Sequence, residues 1–120
     1  VKLKRHYFKP YNYTIGPYHI KIVNVTNKQI LTVNSKYIWE IKTGKIDGLS
    51  FRTKETKRLN LKDFLKHKKP IIILREKPYK IYQYVNESEI IDISNTNKIY
   101  DIPIYNGIKS LTHIVKEELM

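Results

Sequence analysis

Arginine is scarce in this chain, and its placement is the first chemical clue. Of the 23 basic residues only four are Arg, and three of these, Arg52, Arg58 and Arg75, fall in one basic region. Where lysine is the default cation, an arginine suggests a need for its planar fork. That fork grips a phosphate or a guanine edge through two parallel hydrogen bonds, and it serves a carboxylate inside the fold equally well. With Lys54, Lys57, Lys62, Lys66, Lys68 and Lys69, the cations between positions 52 and 69 number eight, against Glu55 and Asp63. In "LKHKKPIIILREKPYKIY" (65–82) a basic knot meets the apolar run Ile71–Leu74, and Arg75, Lys77 and Lys80 follow it. Such an array suits a polyanion, because phosphates along a strand attract cations without any reading of sequence.

Other chemistry has little footing. His6, His19, His67 and His113 stand apart, with no HExxH and no paired zinc spacing. Neither GxxxxGK(S/T) nor GxGxxG is present, and the absence of cysteine removes disulfides, thiolate metal sites and cysteine nucleophiles. No nucleophile, base and orienting group stand in a recognisable arrangement. The expectation is a protein that is not an enzyme, with no metal and no cofactor.

The charge distribution sharpens the point. Residues 1–80 hold 20 Lys/Arg against 5 Asp/Glu, whereas residues 81–120 hold 3 against 6. The chain has no Ala and is rich in Ile, Asn and Tyr, which an A/T-rich genome produces, but a genome-wide drift to lysine falls evenly. This asymmetry instead marks a polyanion-binding face. A merely solvated basic surface is the bland alternative. An anionic membrane surface is weakened by the lack of a strongly amphipathic basic helix. No apolar run reaches the roughly 18 residues of a membrane span, and the basic, aromatic N-terminus lacks the apolar centre of a signal peptide. A cytoplasmic protein is the expectation. The start at Val1 fits an excised domain or an alternative start codon alike.

The elements that must position these cations read as short strands in one domain, 1–120, long enough to bury a core. Strands are expected at 18–25, 29–33, 37–42, 49–53, 71–74, 79–85, 89–94 and 98–105, with Leu49 and Phe51 facing inward. "TKETKR" (53–58) reads as a turn and "NTN" (95–97) as a hairpin turn, while Pro103 implies an edge or a bulge. No repeat is visible. In "NLKDFLKHKK" the spacing of Leu61, Phe64 and Leu65 predicts a helix over 61–67, capped by Asn60 with Asp63 three residues on. On that helix Lys62, Lys66 and Lys69 form one stripe for phosphates. A C-terminal helix would carry Ile108, Leu111, Val115 and Leu119, with Ile114 beside them. Trp39 is expected as a core anchor. Tyr79, Tyr82 and Tyr84 are half-buried strand residues or, beside the cations of 75–80, stacking platforms for bases. The fold class is mainly β (α+β), with one short internal helix and one C-terminal helix.

"LTVNSKYIWEIKTGKIDGLSFRTKETKRLNLKDFL" (31–65) resembles the opening of a LytTR-type DNA-binding domain: a strand, a turn, the strand "KYIWEIK", a hairpin, then the short helix "NLKDFL". "EIIDISNTNKIYDIPIYNGIKSLTHIVKEEL" (89–119) is similar to that family's closing strands and helix, and also to ComK-type competence regulators. The LytTR segment "F-x-R-x-H-R-S-Y-x-V-N" has no match, since "KPIIILREKPYKIYQYV" stands there and only Arg75 corresponds to a basic member. The resemblance implies a β-rich transcriptional regulator that inserts loop residues into duplex DNA, as paired copies on repeated sites. "YIWEIKTGKIDGLSFRTKETKRLNL" also resembles the N-terminal part of phage HNH or AP2-like proteins, with no HNH following. "PYKIYQYVNESEIIDI" is similar to late strands of ParE/RelE-type toxin ribonucleases, whose early helical hairpin is missing here. A mobile-element or phage protein gripping an acidic host protein needs the same charge.

Overall fold

Two mixed β-sheets and one helix form three stacked layers in the computed structural model, which describes residues 2–118. The first sheet runs β1 (Leu3–Arg5), β2 (Tyr13–Ile15), β3 (Tyr18–Val23), then β7 (Pro70–Leu74), β11 (Ile102–Asn106) and β10 (Lys98–Ile99). The second runs β6 (Ser50–Asn60), β5 (Ile38–Asp47), β4 (Ile30–Val33), β8 (Lys80–Tyr84) and β9 (Ile90–Asp92). The helix α1 (Ser110–Glu118) covers the outer face of the first sheet. The molecule is mainly β.

The run Ile71–Leu74 is a central strand because both of its faces are covered. Ile72 and Leu74 join Val23, Leu31, Val33, Trp39, Ile41 and Ile81 in the core between the sheets. Ile71 and Ile73 point the other way, to Ile15, Ile20 and Ile114, with Leu111 packed alongside. A strand buried on both faces reads as a continuous apolar run, and this is why "IIIL" carries no alternation. Trp39 is fully buried. Of the expected helical stripe, Leu111 packs, Ile108 is exposed, and the side chains of Val115 and Leu119 lie outside the described residues.

Parallel pairing reveals a duplication that the residues conceal. β3 pairs parallel with β7, and the strands that follow them, β4 and β8, pair parallel in the other sheet. Residues 19–33 and 70–83 therefore trace the same path, strand to corner to strand, side by side. "HIKIVNVTNKQILTV" and "PIIILREKPYKIYQ" share almost no residues, only the demand for apolar positions on the core face.

Several expectations are corrected. The helix over 61–67 is a single 3-10 turn, Phe64–Lys66; His67 is already extended, and Pro70 disfavours helix in the residue before it. Three residues cannot offset helix nucleation. Asn60 accepts from the Lys62 amide at 3.0 Å, a local turn rather than a helix cap. "TKETKR" is strand within β6, and β5 runs on to Asp47, so the reversal lies at Gly48, at φ 62°. Leu49 accordingly sits fully exposed in the turn, and Phe51 is half-buried on the outer face of the second sheet rather than inward. "NTN" connects β9 to β10, which belong to different sheets, so it is a crossover and not a hairpin. β11 is not an edge strand; Pro103, lacking an N–H, lies one residue before the pairing with β7 begins at Ile104.

Candidate nucleic-acid interface

β4 pairs with β5 only from Trp39 to Lys42. Beyond Lys42, β5 pairs with β6 alone among the described strands, and from Thr43 the hairpin continues as a two-stranded ribbon with no third strand. Its length shows in the dimensions of the molecule, 46 × 26 × 25 Å. A β-bulge between Thr43 and Gly44 leaves Lys54 unpaired and turns the ribbon. As a result Lys45 faces Arg52 across the ladder, and Ile46 faces Phe51. Lys45, Arg52, Lys54 and Lys57 are exposed along the ribbon, and Ile46 and Leu49 expose an apolar tip. Arg52 meets Asp47 at 3.9 Å, with both side chains in solvent, a contact worth little.

The remaining expected cations divide between the two ends of the molecule. Lys69 and Arg75 flank β7 and so lie about 20 Å apart, at 3.3 Å per strand residue. Lys62, Lys66, Lys68 and Lys69 all occupy the connection from β6 into the start of β7. Without a helix they form no stripe, and Lys66 pairs with Asp63 at 3.3 Å. Arg75, Lys77 and Lys80 belong to the opposite end, where β7 leaves the first sheet and β8 enters the second. Because Ile30 at the start of β4 pairs with Lys42, the ribbon departs from that same end. The structure thus brings Arg52, Lys54, Arg75, Lys77 and Lys80 to one end, sets Lys57 near the root of the ribbon, and leaves the basic knot at the other. Arg58 lies directly across the ladder from Glu40, to which Asn34 donates at 2.6 Å.

The basic knot has structural work of its own. The His67 and His19 rings each pack edge-on against Tyr11 at 4.8 Å, and they lie against each other at 5.0 Å. His6 completes the group at 5.1 Å from Tyr11. His19 Nδ1 donates to the Lys68 carbonyl at 2.6 Å, and the His19 amide donates to the Lys69 carbonyl at 3.1 Å. Three histidines scattered in sequence therefore gather around one tyrosine, a cluster that only long-range pairing could reveal. Among the described residues no group of three or more His, Asp or Glu is placed to hold a metal.

At the ribbon end, Asp92 is held below the usual carboxylate range by the hydroxyl and amide of Ser94, with help from Lys80 at 3.5 Å. Lys21, half-buried on the inter-sheet face of β3, titrates below the ordinary lysine value because burial disfavours its charge and Lys57 repels it. Tyr79, Tyr82 and Tyr84 are half-buried, the commoner state of strand tyrosines. No helix among the described residues is long and apolar enough to cross a membrane. No family model matches the chain, and no curated protein or solved structure matches it. Its functional reading rests on its own geometry.

Proposed function

We propose that the protein binds duplex DNA with sequence preference, as a transcriptional regulator does, by laying the β5–β6 ribbon in a groove. One observation carries this: from Thr43 onward the hairpin is a two-stranded ribbon whose cations face solvent and whose tip is apolar. The major groove, about 12 Å wide, admits a two-stranded ribbon. Lys45, Lys54 and Lys57 would meet phosphates, and Arg52, released from a weak exposed partner, would reach a base edge. Arg75, Lys77 and Lys80 extend the same basic end. Binding then owes nothing to Lys62, Lys66, Lys68 and Lys69. The test is a salt series on equal lengths of duplex DNA, single-stranded DNA and RNA. With about four phosphate contacts the log–log slope on duplex is about −3.6. Folded protein that shows no duplex binding at about 50 mM salt would end the proposal.

A second reading has its own support. β6 is the edge of its sheet, so one side of its backbone is unpaired over eleven residues. Edge lysines commonly serve to block strand addition. They would also attract an extended acidic peptide that adds as a strand. Duplex DNA that fails to compete with such a peptide would favour this reading.

A further inference from the structure

We propose that Arg5 and Arg75 form a receptor for a phosphomonoester dianion, set where the parallel strands β3 and β7 end. The two arginines line one cavity of about 260 Å³, together with Asn12, Tyr13 and Asn24. Half of the chain's four arginines thus meet at a single place, although 70 positions separate them. Among the described residues no carboxylate lines the cavity, and neither guanidinium has an acid within salt-bridge reach.

What lines this cavity is rich in donors. The Asn24 carbonyl oxygen accepts from Arg75 Nε at 2.8 Å. The Asn12 carbonyl oxygen accepts from the Ile22 amide at 2.7 Å. Both assignments are set by chemistry, because each faces an obligate N–H donor. With each carbonyl oxygen turned to its N–H donor, each side chain still has its NH2 group to offer. Arg75, held through Nε, keeps its two terminal nitrogens for a bidentate contact. Its backbone is anchored as well, since its amide donates to the Val23 carbonyl at 3.0 Å. Arg5 stacks on the Tyr7 ring at 5.0 Å.

Two guanidiniums and two amide donors around a small cavity match a compact group with two negative charges and several acceptor oxygens. A phosphomonoester fits this description better than a carboxylate, which offers one charge and two oxygens. A pocket, unlike a strip, receives the end of a ligand rather than a continuous backbone. The terminal phosphate of a nucleic-acid strand and the phosphate of a small molecule share this chemistry. Such a receptor works whether or not the ribbon enters a groove.

The experiment titrates the full chain with inorganic phosphate, AMP, adenosine and succinate at constant ionic strength, followed by calorimetry and amide chemical shifts. Phosphate and AMP are expected to bind, and adenosine and succinate to fail. Affinity for AMP should rise from about pH 5.5 to about pH 7.5, as the second ionisation of a phosphomonoester near pH 6 completes. Arg5→Lys and Arg75→Lys keep the charge but lose the fork, and each should weaken phosphate tenfold or more. Asn24→Asp, a second route, sets a carboxylate beside Arg75 and should weaken it at least as much. Lys66→Gln, at the far end of β7, should leave phosphate binding unchanged. A 5′-phosphorylated oligonucleotide binding tenfold tighter than its 5′-hydroxyl twin identifies a strand end as the source. Equal binding of the two, with AMP retained, identifies a small phosphorylated ligand. Phosphate that binds no better than succinate, or that binds the folded lysine variants as well as the parent, overturns the proposal.

Discussion

Gly44 lies so close to the backbone of Arg52 that a β-carbon on it would overlap the Arg52 carbonyl oxygen. This contact sits at the bulge where the β5–β6 ribbon turns, and only glycine permits it. Gly44→Ala cannot be relieved by a side-chain rotation, because the obstacle is main chain. The ribbon must shift, at a cost of about 1–3 kcal/mol. The core lies elsewhere, so the loss should be local. Hydrogen exchange should quicken at amides from Lys45 to Arg52 and stay unchanged in β7. Unaltered exchange along the ribbon would show that the close approach is absent in solution.

The ribbon cations and the knot cations should separate in a salt series. Lys54→Gln and Lys57→Gln are each expected to reduce the magnitude of the duplex slope by about 1. Lys66→Gln and Lys69→Gln should leave it unchanged, since these residues lie at the far end of β7. Arg52→Lys preserves the charge, so its effect should appear in discrimination between sequences, by about 1–3 kcal/mol, and not in the slope. Equal slope changes from both sets of lysines would place DNA elsewhere on the molecule.

Trp39 is fully buried, yet its indole N–H has no acceptor among the described residues. Trp39→Ala should cost about 3–5 kcal/mol through the cavity it leaves. Trp39→Phe also removes an unsatisfied buried donor, which by itself costs about 1–3 kcal/mol, so its net effect should be far smaller. Urea unfolding distinguishes them. A Phe variant as unstable as the Ala variant would mean that the indole N–H is satisfied after all.

Lys21 makes stability depend on alkaline pH. Its folded value is depressed, first by burial and then by Lys57, so the unfolded chain keeps the proton to higher pH. Stability should therefore rise as pH climbs from the depressed value towards 10.5. Below that window the penalty on the buried ammonium is present in full. Lys21→Met should be more stable than the parent at neutral pH and should lose the alkaline rise. Lys57→Gln should raise the Lys21 value, read from its side-chain carbon shifts. A Lys21→Met protein less stable than the parent at neutral pH would contradict this account.

The strands that bury a face were legible in the residues. Alternation around Trp39 and Ile41, and the apolar run Ile71–Leu74, record directly which side chains leave water. "TKETKR" carries no strand pattern because a solvent-exposed ribbon buries little, so the strand character of β6 there comes from backbone pairing with β5. The short 61–67 segment had helical spacing, but that spacing reports only a buried side, which a 3-10 turn supplies equally through Leu61 and Phe64.

For function, the residues alone determined that the chain is basic and that 20 of its 23 cations precede residue 81. It could not say which cations share a surface, because neighbours along an extended strand are carried apart by about 3.3 Å per residue. Only the tertiary structure decided that. Parallel pairing of β3 with β7 sent the basic knot and Arg75 to opposite ends, and strand order brought Arg5 to Arg75. The same pairing drew His6, His19 and His67 around Tyr11. Such long-range meetings follow from which apolar faces can be buried together, and the charged residues that ride on those strands have no part in the choice.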